Sequence, residues 1–114
     1  MPRKVPEGHV YRTYPLDVRV YRAFYAASPL TQYGGVTDAA VALLAEGLTR
    51  LERARSPLPA MVSPFCDRRS LTVALPITLE QRIVALTARY AARRSQVVNA
   101  ALAYALRARG VTVL

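Results

Sequence analysis

At 114 residues, with 53% apolar and 20% charged side chains, the chain is one small domain or two very small ones and is too hydrophobic for a disordered tail. Sixteen basic residues, fifteen of them Arg, against seven acidic ones give a net charge of +9 and a pI near 10.6, a balance suited to a polyanionic partner. The longest apolar run on a helical candidate, Ala39 to Ala45, falls far short of the roughly 18–20 residues that span a bilayer, and one cysteine (Cys66) excludes an intrachain disulfide.

The first predicted element is a strand. His9-Val10-Tyr11-Arg12-Thr13-Tyr14 is rich in β-formers and is followed by Pro15. Asp17 is a good N-cap for a helix over Val18 to Ala27, with Val20, Phe24 and Ala27 on one stripe. Ser28-Pro29 and Gly34-Gly35 make a loop, and Thr37 caps a second helix whose apolar face is Ala40, Val41, Leu44, Leu48 and Leu51. Arg55 to Arg69, with Pro57, Pro59 and Pro64, reads as a semi-rigid extended linker.

The same order then repeats. Ser70-Leu71-Thr72-Val73-Ala74-Leu75 alternates with the period of a half-exposed strand and stops at Pro76. Thr78 and Gln81 form a capping-box pattern ahead of a helix bearing Leu79, Ile83, Leu86 and Tyr90 on one face. Ala92-Arg93-Arg94 breaks that pattern, and Ser95 caps a last helix carrying Val98, Ala101, Leu102, Ala105 and Leu106, which ends at Gly110. Pro76 lies 61 positions after Pro15 and Thr78 61 after Asp17, whereas Ser95, Leu102 and Leu106 lie 58 after Thr37, Leu44 and Leu48. The spacing implies three extra residues in the interhelical loop of the first copy.

A lone unit of this size buries too little surface and leaves a strand edge open. Both problems are solved if strand 9–14 pairs antiparallel with strand 70–75 over four packed helices. The expected fold is mainly α with one two-stranded antiparallel β-ribbon: a unit over 1–55, a linker over 56–69 and a unit over 70–114, forming one intramolecular pseudo-dimer with a shared core.

Arg69-Ser70-Leu71-Thr72-Val73-Ala74-Leu75-Pro76, then Leu79-Glu80-Gln81-Arg82, then Arg94-Ser95-Gln96-Val97-Val98 resemble the ribbon–helix–helix family of DNA-binding proteins, the Arc/MetJ/CopG type. The resemblance covers about 40 residues of the second half closely and the first half by analogy, and the tandem arrangement looks like that of certain conjugative-transfer accessory proteins. It implies that the ribbon enters the major groove of double-stranded DNA. Ser70, Thr72 and Ala74 would then face bases, as would His9, Tyr11 and Thr13 in the first copy. This register turns Arg12 inward; a one-residue slip would instead turn it outward, where it could read guanine. Phosphate contacts would come from Arg69 and from helix N-termini at Arg93, Arg94 and Ser95 and at Thr37, although Asp38 beside Thr37 would repel phosphate.

Competing readings of the same residues are blander. Cys66 reads as a small apolar filler, Tyr21 and Tyr25 as core, and Gly34-Gly35 as a turn that lacks the residues of a phosphate loop. One His and one Cys do not suffice for a protein-only zinc site, and no carboxylates pair locally, so neither an enzyme nor a cofactor is expected. Residues 95–107 as a recognition helix would be too apolar for the groove, with only Gln96 and Asn99 able to read bases. The expected function is sequence-preferring DNA binding, foremost as a transcriptional repressor. Alternatives are an architectural role in a plasmid transfer or partition complex and, in another class, a protein-interaction module that has lost DNA binding. The segment Met1 to Tyr14 lacks the apolar stretch of a signal peptide, so a cytoplasmic, nucleoid-associated protein without membrane contact is expected. Pairing of two molecules side by side on DNA is left open.

Overall fold

The structure, a computed structural model, describes residues 7–26, 36–54, 58 and 69–113. Its elements run β1 (His9–Leu16), α1 (Val18–Ala26), α2 (Val36–Arg53), β2 (Arg69–Pro76), α3 (Ile77–Tyr90) and α4 (Arg94–Ala108). The fold is mainly helical, with one two-stranded antiparallel sheet. The expected readings of Cys66, of Ser28-Pro29 and Gly34-Gly35, and of most of the linker lie outside the described residues, as does Ala27.

β1 pairs with β2 from His9 opposite Pro76 to Leu16 opposite Arg69. Leu71, Val73 and Leu75 are buried with Tyr14 and Leu16, while Thr13, Ser70 and Thr72 are exposed. The alternation that marks Ser70 to Leu75 as half-exposed therefore operates as expected. The strands run past their expected ends, because Pro15 sits inside β1 opposite Ser70. In a two-stranded sheet every strand is an edge, so a proline can lie with its missing N–H directed away from the ladder.

This changes the spacing between the halves. Pro15 and Pro76 do not mark the same place: both lie in the ribbon, but Pro76 ends β2 and directly precedes α3, whereas Leu16 and Asp17 stand between Pro15 and α1. α1 and α3 start at Val18 and Ile77, 59 positions apart, and α2 and α4 start at Val36 and Arg94, 58 apart. The interval between helix starts is thus longer by one residue in the first half, not three.

Helix ends show which local signals prevail. Asp17 caps α1 as expected: its Oδ1 accepts the Arg19 backbone N–H at 2.9 Å. Thr78 does not cap α3, which begins one residue earlier behind an extended Pro76 (φ −53°, ψ 137°). Ser95 lies inside α4, whose N-cap is Arg93 (φ −81°, ψ 156°); the Gln96 side chain accepts the Arg93 N–H at 2.8 Å, which is one arm of a capping box. Thr37 likewise lies inside α2. At the far end of α4, Gly110 has φ +81°, Val111 N–H donates to the Leu106 carbonyl and Gly110 N–H to that of Arg107, both at 3.0 Å, a Schellman stop.

The core lies between the ribbon and the helices. α4 is its axis, with Val97 to Ala103, Ala105 and Leu106 all buried. α2 crosses α4 so closely that a Cβ on Gly47 would overlap the Ala101 backbone, 2.7 Å from its Cα. Tyr21 and Tyr25 pack half-buried against that core, their ring centroids 4.5 Å apart, as their reading as core residues requires.

Candidate nucleic-acid interface

Strand alternation sorts the ribbon into two faces. Opposed residues of an antiparallel pair share a face, so Tyr11 with Ala74, Thr13 with Thr72 and Pro15 with Ser70 form the outward row, ending in His9 with Pro76. Thr13, Pro15, Ser70 and Thr72 are exposed; His9, Tyr11, Ala74 and Pro76 are half-buried. At the centre, the Thr13 and Thr72 Oγ1 atoms are 2.9 Å apart and hydrogen-bonded. The row contains no carboxylate. Eight residues at ~3.3 Å each make it about 26 Å long.

Arg12 is on the opposite face, sharing it with Val73. The slipped register that would turn Arg12 outward is therefore not the one adopted, and its place among outward-facing residues is corrected. Its position on that face is compatible with burial of the strand because its side chain stays 39% exposed and Glu80 of α3 pairs with it: Arg12 Nε donates to Glu80 Oε1 at 2.7 Å, and Arg12 Nη1 donates to the Tyr11 carbonyl at 2.9 Å. The Tyr14 hydroxyl is buried and has no hydrogen-bond partner among the described residues. Burial raises its pKa, the Glu80 charge adds to the shift, and Arg12 and Arg94 oppose it.

A helix N-terminus adjoins each end of the ribbon. At the Leu16–Arg69 end stands α4, with Arg93 and Arg94 exposed and Ser95 half-buried; Arg69 is exposed where β2 begins. Asn99, fully buried, fixes this helix to the strand end. Its Oδ1 accepts the Asp17 backbone N–H at 2.8 Å, and its Nδ2 donates to the Pro15 carbonyl at 3.0 Å and the Ser95 carbonyl at 2.7 Å. Asp17 in turn holds Arg19 through two oxygens, both at 2.9 Å. At the His9–Pro76 end, Thr37 and Asp38 of α2 border a groove of about 340 Å³ with Val41, Ala42, His9, Ala74 and Pro76. The His9 ring Nδ1 donates to the Glu7 carbonyl at 3.0 Å.

The structure thus brings Ser70, Thr72, Ala74, His9, Tyr11 and Thr13 onto one surface and puts Arg69, Arg93, Arg94 and Ser95 at one of its ends and Thr37 at the other. Two residues, Glu80 and Asn99, organise this surface in roles that the sequence does not disclose. Glu80 was foreshadowed only by Arg12, an inward charge needing a partner. Asn99, whose side-chain type would suit a base reader, is instead a buried clamp. Among the described residues no group of three or more His, Cys, Asp or Glu side chains could hold a metal ion, and no helix is long and apolar enough to cross a membrane. No family model, curated protein or solved structure matches the chain.

Proposed function

We propose that the chain is a sequence-preferring double-stranded DNA-binding protein of the ribbon–helix–helix kind, with transcriptional repression as its task. The observation that carries this reading is the outward row of the ribbon: hydroxyls and small groups free of acid, beside a helix start bearing Arg93 and Arg94. A major groove about 12 Å wide admits such a two-stranded ribbon. Ser70, Thr72 and Thr13 would exchange hydrogen bonds with base edges, Ala74 would touch a thymine methyl, and Tyr11 and His9 would extend the contact along the groove. Arg69, Arg93 and the first-turn N–H groups of α4 would hold backbone phosphates.

A tandem pseudo-dimer accounts for the way the halves correspond. At a shift of 59, buried Tyr14, Leu16, Val20 and Phe24 map onto buried Val73, Leu75, Leu79 and Ile83. At 58, buried Ala40, Leu43, Leu44 and Leu48 map onto buried Val98, Ala101, Leu102 and Leu106. Thr13 maps onto Thr72, the residue it faces, so the axis relating the halves would pass between these two threonines. The outward rows are not copies of one another, so the preferred DNA site is an imperfect palindrome.

Substitution of Ser70 or Thr72 by Ala tests the reading. Each should reduce discrimination between preferred and unrelated duplex by about 1–3 kcal/mol for every base-edge hydrogen bond removed. Unchanged discrimination in both variants would contradict base reading by the ribbon.

A further inference from the structure

One carboxylate oxygen beneath the ribbon serves two arginines that are held very differently. Glu80 Oε1 accepts from Arg12 Nε at 2.7 Å and is 2.7 Å from Arg12 Nη2, while Arg12 Nη1 is taken by the Tyr11 carbonyl. Every nitrogen of that guanidinium is engaged. The same oxygen is 3.4 Å from Arg94 Nη1, well beyond the ~2.7–2.9 Å of a strong charge-assisted bond. The Arg94 side chain is 49% exposed and makes no other hydrogen bond or ion pair among the described residues, whereas Glu80 is only 13% exposed. Arg93, its neighbour, is also exposed and has no carboxylate partner among the described residues.

We infer that Glu80 is an intramolecular competitor for DNA phosphate, holding Arg12 as a permanent pair and Arg94 as an exchangeable one. The inference rests on the DNA-binding reading above and deepens it. A phosphate oxygen reaching the start of α4 meets Arg93 without competition but must displace a carboxylate oxygen to engage Arg94. The long, half-exposed Arg94 contact is the one that salt and a competing anion weaken first. Glu80 itself stays in place, because Arg12 continues to hold it. The carboxylate therefore restrains sequence-independent attraction at the more basic end of the ribbon and leaves the base-reading row a larger share of the affinity.

The test is binding of an unrelated duplex across a salt series by Glu80→Gln, Arg94→Gln and the double variant, each checked for folding by circular dichroism. Glu80→Gln should steepen the dependence of log K on log salt by about 0.9, the value for one added phosphate contact. It should tighten low-salt binding about two- to fivefold, in keeping with release of one exposed ion pair. Both gains should vanish in the Arg94→Gln background; their persistence there, or their absence in the single variant, would overturn the inference. If Glu80→Gln does not fold, Arg93→Gln and Arg94→Gln decide in the otherwise unaltered chain: Arg93→Gln should flatten the slope by about 0.9 and Arg94→Gln by clearly less. Equal losses would overturn the competition while leaving DNA binding intact. No binding by the unaltered chain at low salt would overturn DNA binding, and the competition with it.

Discussion

At one end of the ribbon Asn99 stitches α4 to the first strand; at the other, Val41, 58 positions earlier, borders an open groove. The backbone explains the contrast. Asn99 accepts a hydrogen bond from the Asp17 N–H and gives one to the Pro15 carbonyl, and the residues 59 positions later are Pro76 and Ala74. Proline has no N–H to donate, so an asparagine at position 41 would lack the donor that Asp17 supplies at the other end. The Asp17 position offers a clamp its donor and the Pro76 position does not. The charges follow the same division, with Arg93 and Arg94 at the clamped end and Thr37 and Asp38 at the open one. A clamped, basic helix start would favour phosphate; one that bears a carboxylate would hold it less well.

Substitutions can break this contrast, beginning with the crossing on which both ends depend. Gly47 of α2 lies against the Ala101 backbone, whereas the residue 58 positions later is Ala105, which tolerates its Cβ. Gly47→Ala should destabilise the fold by about 3 kcal/mol through overpacking, as urea denaturation would measure, while Ala105→Gly should cost about 1 kcal/mol. Asn99→Ala comes next, at about 2 kcal/mol, because it leaves the buried Asp17 N–H and the Pro15 carbonyl unpaired. The reciprocal change, Val41→Asn, should cost about 1 kcal/mol and bring no compensating clamp; a stabilised variant would show that Pro76 is not the obstacle.

The smallest effect separates the ribbon from the opposite pole of the helices. There Arg82 Nη2 donates to Glu52 Oε1 at 2.7 Å and Arg82 Nε to Oε2 at 3.1 Å. That hydrogen bonding holds the Glu52 carboxyl below its ordinary value of 4.5; burial opposes the shift, and the charges of Arg82 and Arg89 reinforce it. A depressed carboxylate contributes stability that is present above the unfolded value and is lost as pH falls through the folded one. Urea midpoints should therefore fall faster below pH 4.5 in the unaltered chain than in Glu52→Gln, by a small margin because the pair is partly exposed.

How far the sequence discloses this molecule depends on whether a residue's partner is near in the chain. Alternation over Ser70 to Leu75 and the apolar stripes around Val20, Leu44, Ile83 and Leu102 give the strands and helices, since those patterns repeat within a few residues. Asp17 discloses a helix start for the same reason. Thr78 and Ser95 mislead because backbone geometry sets the start of a helix, and extended Pro76 and Arg93 each place it one or more residues earlier. Proline positions mislead too: Pro76 directly precedes a helix and Pro15 does not, which accounts for the intervals between helix starts differing by one residue rather than three. Arg12 and Glu80 are 68 positions apart and Asn99 and Asp17 are 82 apart, so no local pattern could join them. Gly47 gives no sign in the sequence that another helix passes against its backbone.

The most direct measurement is fluorescence anisotropy of the full chain with DNA from upstream of its own gene and with unrelated duplex, across a salt series. A ribbon seated in the major groove predicts a steep salt slope together with a preference of about 10³ or more for one fragment. A steep slope with equal affinity for every duplex would contradict sequence reading and leave only phosphate binding. No binding even at low salt would contradict the DNA-binding reading itself.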